Sequence, residues 1–182
     1  MLGLVLLFVS PILISWAYIA GLINLGPISL TNRGNLLSPA VDLREVDAAA
    51  GLFTEAHLQP GEWVLTYIAQ GACDADCLGV LDKLLTIRSL LGYSGQRVRV
   101  IALTETASAA PLAANYTGHV LSDPAAHDVL ESALAHAVDT ELPPQIVFID
   151  WRRQLVMRYD RDAPPEDLKK DLKKLLRASQ IR

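Results

Sequence analysis

Residues 62–77 read EWVLTYIAQGACDADC and place two cysteines shortly after a continuous apolar segment. The run 62–68 is typical of a strand that is buried on both faces. From Cys77 onward, apolar residues recur at helical spacing as far as Leu91, and Gly92 ends the pattern. The cysteines therefore lie where a buried strand passes into a helix.

The rest of the chain continues this succession of strands and helices. Apolar runs at 97–104, 146–150 and 154–159 predict three further strands, and the last two are close enough to form a hairpin. Helical periodicity covers 124–138 and 165–178. The first two strands flank a helix, so a right-handed crossover makes them parallel. This order predicts an α/β fold with a thioredoxin-like mixed sheet that is flanked by helices.

The composition of the chain differs between an uncharged N-terminal segment, residues 1–32, and a charged domain that follows it. The first 32 of the 182 residues contain no charged side chain, and the formal net charge is −4. A chain with this charge is not expected to bind nucleic acid, because nucleic-acid binders need a basic surface. The sequence also contains no glycine-rich phosphate loop and no recognisable catalytic triad or carboxylate pair, so a hydrolase or nucleotide enzyme is unsupported.

The apolar character of the N-terminal segment predicts one transmembrane helix. As a helix, residues 2–25 would extend about 36 Å, which exceeds a hydrocarbon core of about 30 Å. The alternative is a cleaved signal peptide, but the segment has no charged n-region and is too long. We therefore expect a transmembrane anchor over 1–25, a linker over 26–40 and a thioredoxin-like domain over 41–182.

Cys73 and Cys77, hereafter the cysteine pair, are the candidate reactive residues. Side chains four apart in a helix have Cβ atoms about 5–6 Å apart, whereas a disulfide needs about 3.5–4.5 Å. A bridge therefore requires Cys73 in the loop, and Asp74 as N-cap would place Cys77 in the first helical turn. The same spacing suits two thiolates around Cu(I). A structural disulfide and two unrelated core cysteines are the alternatives, but so short a loop gains little chain entropy from a bridge.

Four segments carry a resemblance to a known family: 33–39 (RGNLLSP), 73–77 (CDADC), 157–159 (MRY) and 171–181 (DLKKLLRASQI). With them the chain resembles the Sco-type copper chaperones of cytochrome c oxidase assembly, and especially a group of membrane-anchored proteobacterial relatives. The resemblance implies a single span, in the inner (cytoplasmic) membrane, and the cysteine pair favours the periplasm for the soluble domain. It also implies cytochrome c oxidase subunits or assembly factors as partners.

The resemblance also bears on the residues around the cysteine pair. Sco-type proteins carry a histidine copper ligand before the strand that corresponds to 146–150, but here 142–145 reads LPPQ. Pro144, or its neighbour Pro143, lies instead where thioredoxins keep a cis-proline beside the dithiol, which implies a role for Pro144 in the substrate groove. His119 is the remaining candidate for a third Cu(I) ligand beside the two cysteines. The other histidines are interpreted as solvated or internally satisfied: His57, His127 and His136.

Three functions stay open at this point. The first is thiol–disulfide exchange or Cu(I) delivery by the cysteine pair during biogenesis of a haem-copper oxidase, with Cys73 as the more exposed, attacking thiolate and Cys77 resolving. The second is a non-catalytic scaffold that holds oxidase subunits or assembly factors together. The third is a general dithiol reductase. These functions differ in whether the chain is an enzyme.

Overall fold

The computed structural model describes residues 2–21, 31–45, 61–106, 114–116, 118–138 and 145–179. The chain forms two compact units, Met1–Thr31 and Asn32–Arg182. The first unit contains helix α1, Leu2–Ile19, with Pro11 inside it. Among the helices of the described residues, none combines the length and apolar character that crossing a membrane requires. The predicted anchor over 1–25 stays a prediction.

The described part of the second unit forms a six-stranded mixed sheet. Its strands are β1 (Asn35–Asp42), β2 (Trp63–Ile68), β3 (Val98–Thr104), β4 (Val120–Ser122), β5 (Gln145–Ile149) and β6 (Gln154–Asp160), in the spatial order β1-β6-β5-β2-β3-β4. β2, β3 and β4 run parallel, whereas β5 is antiparallel to both β2 and β6, and β1 is antiparallel to β6. Its α-helices are α2 (Ala75–Leu90), α3 (Pro124–Val138) and α4 (Pro165–Ala178).

Helices cover both faces of this sheet. Leu65 and Tyr67 of β2 belong to the apolar cluster that includes α2 and α4. Val64 and Ile68 belong to the cluster on the other face, where α3 contributes Leu130. Every residue of β2 is buried because its side chains point alternately to two covered faces of the sheet, which explains why all but Thr66 are apolar. The predicted thioredoxin-like mixed sheet, flanked by helices, is confirmed.

The closing hairpin and the last two helices agree closely with the sequence prediction. α3 and α4 have the predicted bounds, and β5 and β6 pair through a turn at 151–153. In that turn Arg153 has a φ of 66°, a left-handed conformation that is uncommon outside glycine. Asp150 supports it, because its Oδ1 accepts the N–H groups of Arg152 and Gln154, each at 2.8 Å.

Strand β1 is the main departure from the sequence prediction. Residues 35–42, the first six of which fall in the expected linker 26–40, form an edge strand beside β6. The pairing register shifts between Leu36 and Val41, so the sequence lacks the regular alternation that predicts a strand. The linker interpretation is therefore wrong from Asn35 onward, and residues 22–30 lie outside the described residues.

A buried carboxylate joins the start of β1 to β6 and α4. Oδ2 of Asp171 accepts hydrogen bonds from the hydroxyl of Tyr159 at 2.7 Å, from N of Gly34 at 3.1 Å and from N of Arg33. Burial opposes ionisation of Asp171, but these bonds and nearby Lys174 hold its pKa below the ordinary value. Burial and the same carboxylate raise the pKa of Tyr159. The first residues of the unit are thus fixed to its last helix.

Candidate redox site

The cysteine pair lies beyond the carboxyl end of the central strand β2. Cys73 is in the loop that leaves β2, and Cys77 is in the first turn of α2. Asp74 is the N-cap, and its Oδ1 accepts the backbone N–H of Cys77 at 3.0 Å. The predicted cap is therefore confirmed. Because Cys73 precedes the cap, its backbone is released from helical geometry and its side chain can reach Cys77.

Cys73 and Cys77 form a disulfide, with their Cα atoms 5.1 Å apart. Both residues are buried, Cys73 with 1 % and Cys77 with 3 % of its surface exposed. In this oxidised state neither cysteine is exposed, and the expectation that Cys73 is the more exposed thiolate of the reduced pair stays a prediction. A thiolate from another protein can therefore reach these sulfurs only when the surrounding loop moves.

Charged side chains lie around the N-terminus of α2. Asp74 and Asp76 are exposed, and Oδ2 of Asp76 lies 3.7 Å from Nη1 of Arg161, in the loop after β6. Burial raises the pKa of Tyr67 on β2, and Arg161 opposes this rise. The two carboxylates oppose thiolate formation at the helix N-terminus, whereas the helix dipole and Arg161 favour it.

The structure does not test the roles predicted for two of the site residues, Pro144 and His119. Pro144 lies outside the described residues; its neighbour in sequence, Gln145, pairs with Ile68 at the carboxyl end of β2. Nδ1 of His119 lies 2.8 Å from the carbonyl oxygen of Val100, which is in the middle of β3. The groove role of Pro144 and the ligand role of His119 stay predictions.

His127 contacts the loop between β2 and Cys73, a contact that its interpretation from the sequence as solvated or internally satisfied does not include. It is buried in the first turn of α3, with 1 % of its surface exposed, and its Nε2 lies 2.9 Å from the carbonyl oxygen of Ala69. A carboxylate oxygen of Glu105 lies 3.8 Å from Nε2 and accepts the N–H of Gly71 at 3.3 Å. These contacts connect α3 and the end of β3 to the loop that leads to Cys73.

Helical spacing was the available signal for this burial. His127 precedes the buried Leu130 and Leu134 by three and seven positions, which places it on the core face of α3. His136, on the same helix, is exposed and its Nδ1 lies 2.7 Å from the carbonyl oxygen of Ser132, in agreement with its interpretation as solvated. His57 lies outside the described residues.

The cysteine pair can hold Cu(I) only in the reduced protein. Two thiolates at one place are soft ligands of the type that Cu(I) prefers. Among the described residues, the single group of three side chains able to ligate a metal together is His127, Asp128 and Glu131, and it contains neither cysteine. The described structure thus offers copper two sulfur ligands here.

Three solved structures have a similar outline. BsSco, a member of the Sco family of cytochrome c oxidase assembly proteins in which a disulfide switch was identified, is 14 % identical, with a TM-score of 0.45 over 68 % of this chain and 83 % of that chain. Copper-bound ScoI of Bradyrhizobium japonicum is 17 % identical, with a TM-score of 0.40 over 63 % and 85 %. The exposed lipoprotein thioredoxin Etrx1 of Streptococcus pneumoniae strain TIGR4 is 20 % identical, with a TM-score of 0.39 over 63 % and 86 %. Similarity at this level says nothing about the function of this chain.

Among curated proteins, none matches the sequence significantly. A family model does match, over residues 63–179. The match begins at the first residue of β2, contains the cysteine pair and ends just after α4, so it covers well over half of the chain. The chain therefore belongs to the family described as the transmembrane-like, thioredoxin-like, C-terminal domain.

Proposed function

We propose that this chain is a membrane-anchored thioredoxin-like factor that performs thiol–disulfide exchange through Cys73 and Cys77 during biogenesis of a cytochrome c oxidase. The observation that carries the proposal is the disulfide between the loop after β2 and the first turn of α2. A bridge across three intervening residues contributes little chain entropy, so a need for stability does not explain it well.

The reduced pair would act on a disulfide of its target. The thiolate of Cys73 attacks one target sulfur, and the other target sulfur leaves as a thiolate. Cys77 then attacks Cys73 in the mixed disulfide, which releases the reduced target and restores the Cys73–Cys77 bond. We assign the attack to Cys73 because it lies in a loop outside the helix, whereas the backbone of Cys77 is held in the helix by Asp74.

Support for the oxidase and for the membrane comes from the sequence. The resemblance to Sco-type proteins favours oxidase subunits or assembly factors as targets, and cysteines of a copper site are disulfide-forming groups that must be reduced before copper enters. The uncharged segment 2–25 supports the anchor in the inner membrane. Redox chemistry of this kind favours the periplasm for the domain.

A strain that produces the Cys73→Ser, Cys77→Ser variant tests the proposal. We expect oxidase activity to fall strongly while the amount of the variant in the membrane stays normal, because serine cannot exchange disulfides. Full oxidase activity would instead support the non-catalytic scaffold. A Cys77→Ser variant distinguishes the general reductase: a specific factor accumulates a mixed disulfide with an oxidase component, and a general one with many unrelated proteins.

Cu(I) delivery is the second candidate, favoured because the sulfur atoms of Cys73 and Cys77 are adjacent and could bind one ion together. An anaerobic titration of the reduced full chain with Cu(I) against a chromogenic competitor distinguishes it from exchange. Copper delivery predicts one-to-one binding that is lost in the double serine variant, and His119→Gln then tests the third ligand. No competition above the double variant would rule out copper delivery and leave exchange.

A further inference from the structure

We propose that His127, Asp128 and Glu131 on α3 form a binding site for a divalent transition-metal ion such as Zn²⁺. This site uses neither cysteine and is independent of the function proposed above. It lies in the first two turns of α3, where the histidine faces the protein interior and the two acids lie at the surface.

The spacing of the ligand atoms fits one ion. Nδ1 of His127 lies 3.6 Å from Oδ1 of Asp128 and 4.0 Å from Oε2 of Glu131, and the three ligand atoms lie within 4.8 Å of one another. Zinc binds nitrogen at about 2.0–2.1 Å and carboxylate oxygen at about 2.0–2.2 Å. In tetrahedral coordination this places a nitrogen and an oxygen ligand of one ion about 3.4 Å apart. The 3.6 Å to Asp128 lies close to this value, and a small rotation of the half-exposed Glu131 side chain would bring its oxygen into place.

The orientation of the His127 ring provides a second, independent observation. A carbonyl oxygen only accepts hydrogen bonds, so Nε2 carries a proton and donates it to Ala69, 2.9 Å away. Nδ1 is then the ring atom available for a ligand, and it is buried without a hydrogen-bond partner among the described residues. Histidines that bind metals characteristically donate their other N–H to a carbonyl or carboxylate in this way.

The charges around the ring favour a cation over an empty space. Three acidic side chains lie near the ring: Asp128 and Glu131 beside Nδ1, and Glu105 at 3.8 Å from Nε2. The distances from Nδ1 to the two acids exceed the usual hydrogen-bond range of about 2.7–3.2 Å. A proton on Nδ1 would thus form no good hydrogen bond, whereas an ion between these groups would ligate all three.

The ion would also be connected to the redox loop. The carbonyl that fixes the His127 ring belongs to Ala69, the first residue after β2, and the backbone N of Ala69 bonds to Leu103 of β3 at 3.0 Å. An ion that holds the ring would therefore also hold the start of the loop that leads to Cys73. Fourth and further ligand positions would be open to water, because the side chains of Asp128 and Glu131 are 75 % and 45 % exposed.

Titration of the oxidised full chain in detergent with Zn²⁺, against a chromogenic competitor, tests the site. Oxidation removes the cysteine pair as a competing ligand, since a disulfide offers no thiolate. We expect one-to-one binding that weakens at least about tenfold in Asp128→Asn and in Glu131→Gln, because even second-shell changes weaken metal sites by about this factor. The matched control His136→Gln, an exposed histidine on the same helix, should leave the affinity unchanged.

His127→Gln should abolish binding, and circular dichroism will show whether this buried substitution leaves the fold intact. The two carboxylate variants keep the test decisive if it does not, because their side chains lie at the surface. Absence of saturable Zn²⁺ binding by the oxidised chain would overturn the proposal. An affinity unchanged in the Asp128→Asn, Glu131→Gln double variant would overturn it equally.

Discussion

Asp74 combines two roles that a single substitution can separate. Its carboxylate caps α2 through the N–H of Cys77, and its charge lies beside the cysteine pair. Asparagine caps a helix about as well as aspartate but has no charge. We therefore predict that Asp74→Asn keeps thermal stability and raises the reduction potential of the pair, because thiolates in the reduced form are repelled less.

The control for this prediction is Asp74→Ala, which removes both the charge and the cap. It should raise the potential in the same direction but also lower the free energy of unfolding by about 1 kcal/mol. Equilibration with glutathione buffers measures the potential, and denaturant unfolding measures the stability. A potential in Asp74→Asn equal to that of the wild type would show that the Asp74 charge does not act on the pair.

Asp171 makes folding stability depend on pH. Its pKa in the folded protein lies below the ordinary value of 3.8, so the stability it contributes is present above about pH 4 and is lost as the pH falls through the folded-state pKa. We predict that Asp171→Asn lowers the free energy of unfolding at pH 7 by about 2 kcal/mol, since hydrogen bonds to a charged acceptor are replaced by weaker bonds to a neutral amide oxygen. Urea unfolding should show that the free energy of unfolding falls less in the variant than in the wild type between about pH 7 and pH 3. Parallel pH profiles would contradict this assignment.

At the scale of secondary-structure elements, two glycines should respond to alanine with opposite signs. A Cβ on Gly34, at the start of β1, would overlap the ring of Tyr159, which Asp171 holds in place. A Cβ on Gly79, in the second turn of α2, would meet nothing within 4 Å. We predict that Gly34→Ala destabilises the protein by about 1–3 kcal/mol and that Gly79→Ala stabilises it by up to about 1 kcal/mol.

Denaturant unfolding of the two variants measures this pair of effects, and each variant serves as the control for the other. Both variants replace glycine by alanine, so both change the unfolded chain in the same way. A difference between them therefore measures the overlap of the new Cβ at position 34 with the ring of Tyr159. An unchanged free energy of unfolding in Gly34→Ala would show that β1 and Tyr159 can move apart without loss of stability. The hydrogen bonds of Asp171 would then hold this region less tightly than their geometry indicates.

The elements that the sequence predicts are those with local signals. The α3 and α4 helices begin at a proline and follow a helical apolar period, and β2 is apolar at every position because both of its faces are covered. β1 pairs with an irregular register, and Leu37 is its one buried residue. Its sequence therefore shows neither the two-residue period of a strand nor the period of a helix. Its place in the sheet depends on distant residues, Asp171 and Tyr159, which no local pattern shows.

The same distinction applies to the candidate sites. The cysteine pair is predictable because the N-cap, the helix and the preceding strand are all local to it. The surroundings of His127 are not, since its partners Ala69 and Glu105 come from other elements. Spacing alone places the histidine on the core face of α3, but only the folded chain shows that one ring nitrogen has a carbonyl partner and that the other faces acids.

For the whole molecule, the predicted anchor can be tested by extraction. We predict that the full chain stays in the membrane pellet after alkaline carbonate treatment, whereas a chain that begins at Asn32 is released. The shorter chain retains the compact unit Asn32–Arg182 with its own apolar clusters, so its circular dichroism should show a folded α/β protein. Release of the full chain by carbonate would contradict the anchor.

The central claim is that the Cys73–Cys77 bond is a working redox disulfide and not a structural one. The most direct measurement is the reduction potential of the full chain, from equilibration in dithiol buffers, alkylation of free thiols and mass analysis, with circular dichroism at each potential. We predict a reversible two-electron transition above about −300 mV, because structural disulfides lie below this value and catalytic ones above it. The fold should be the same in both states. A potential below about −300 mV, or reduction that occurs only with unfolding, would contradict the claim and identify the bond as structural.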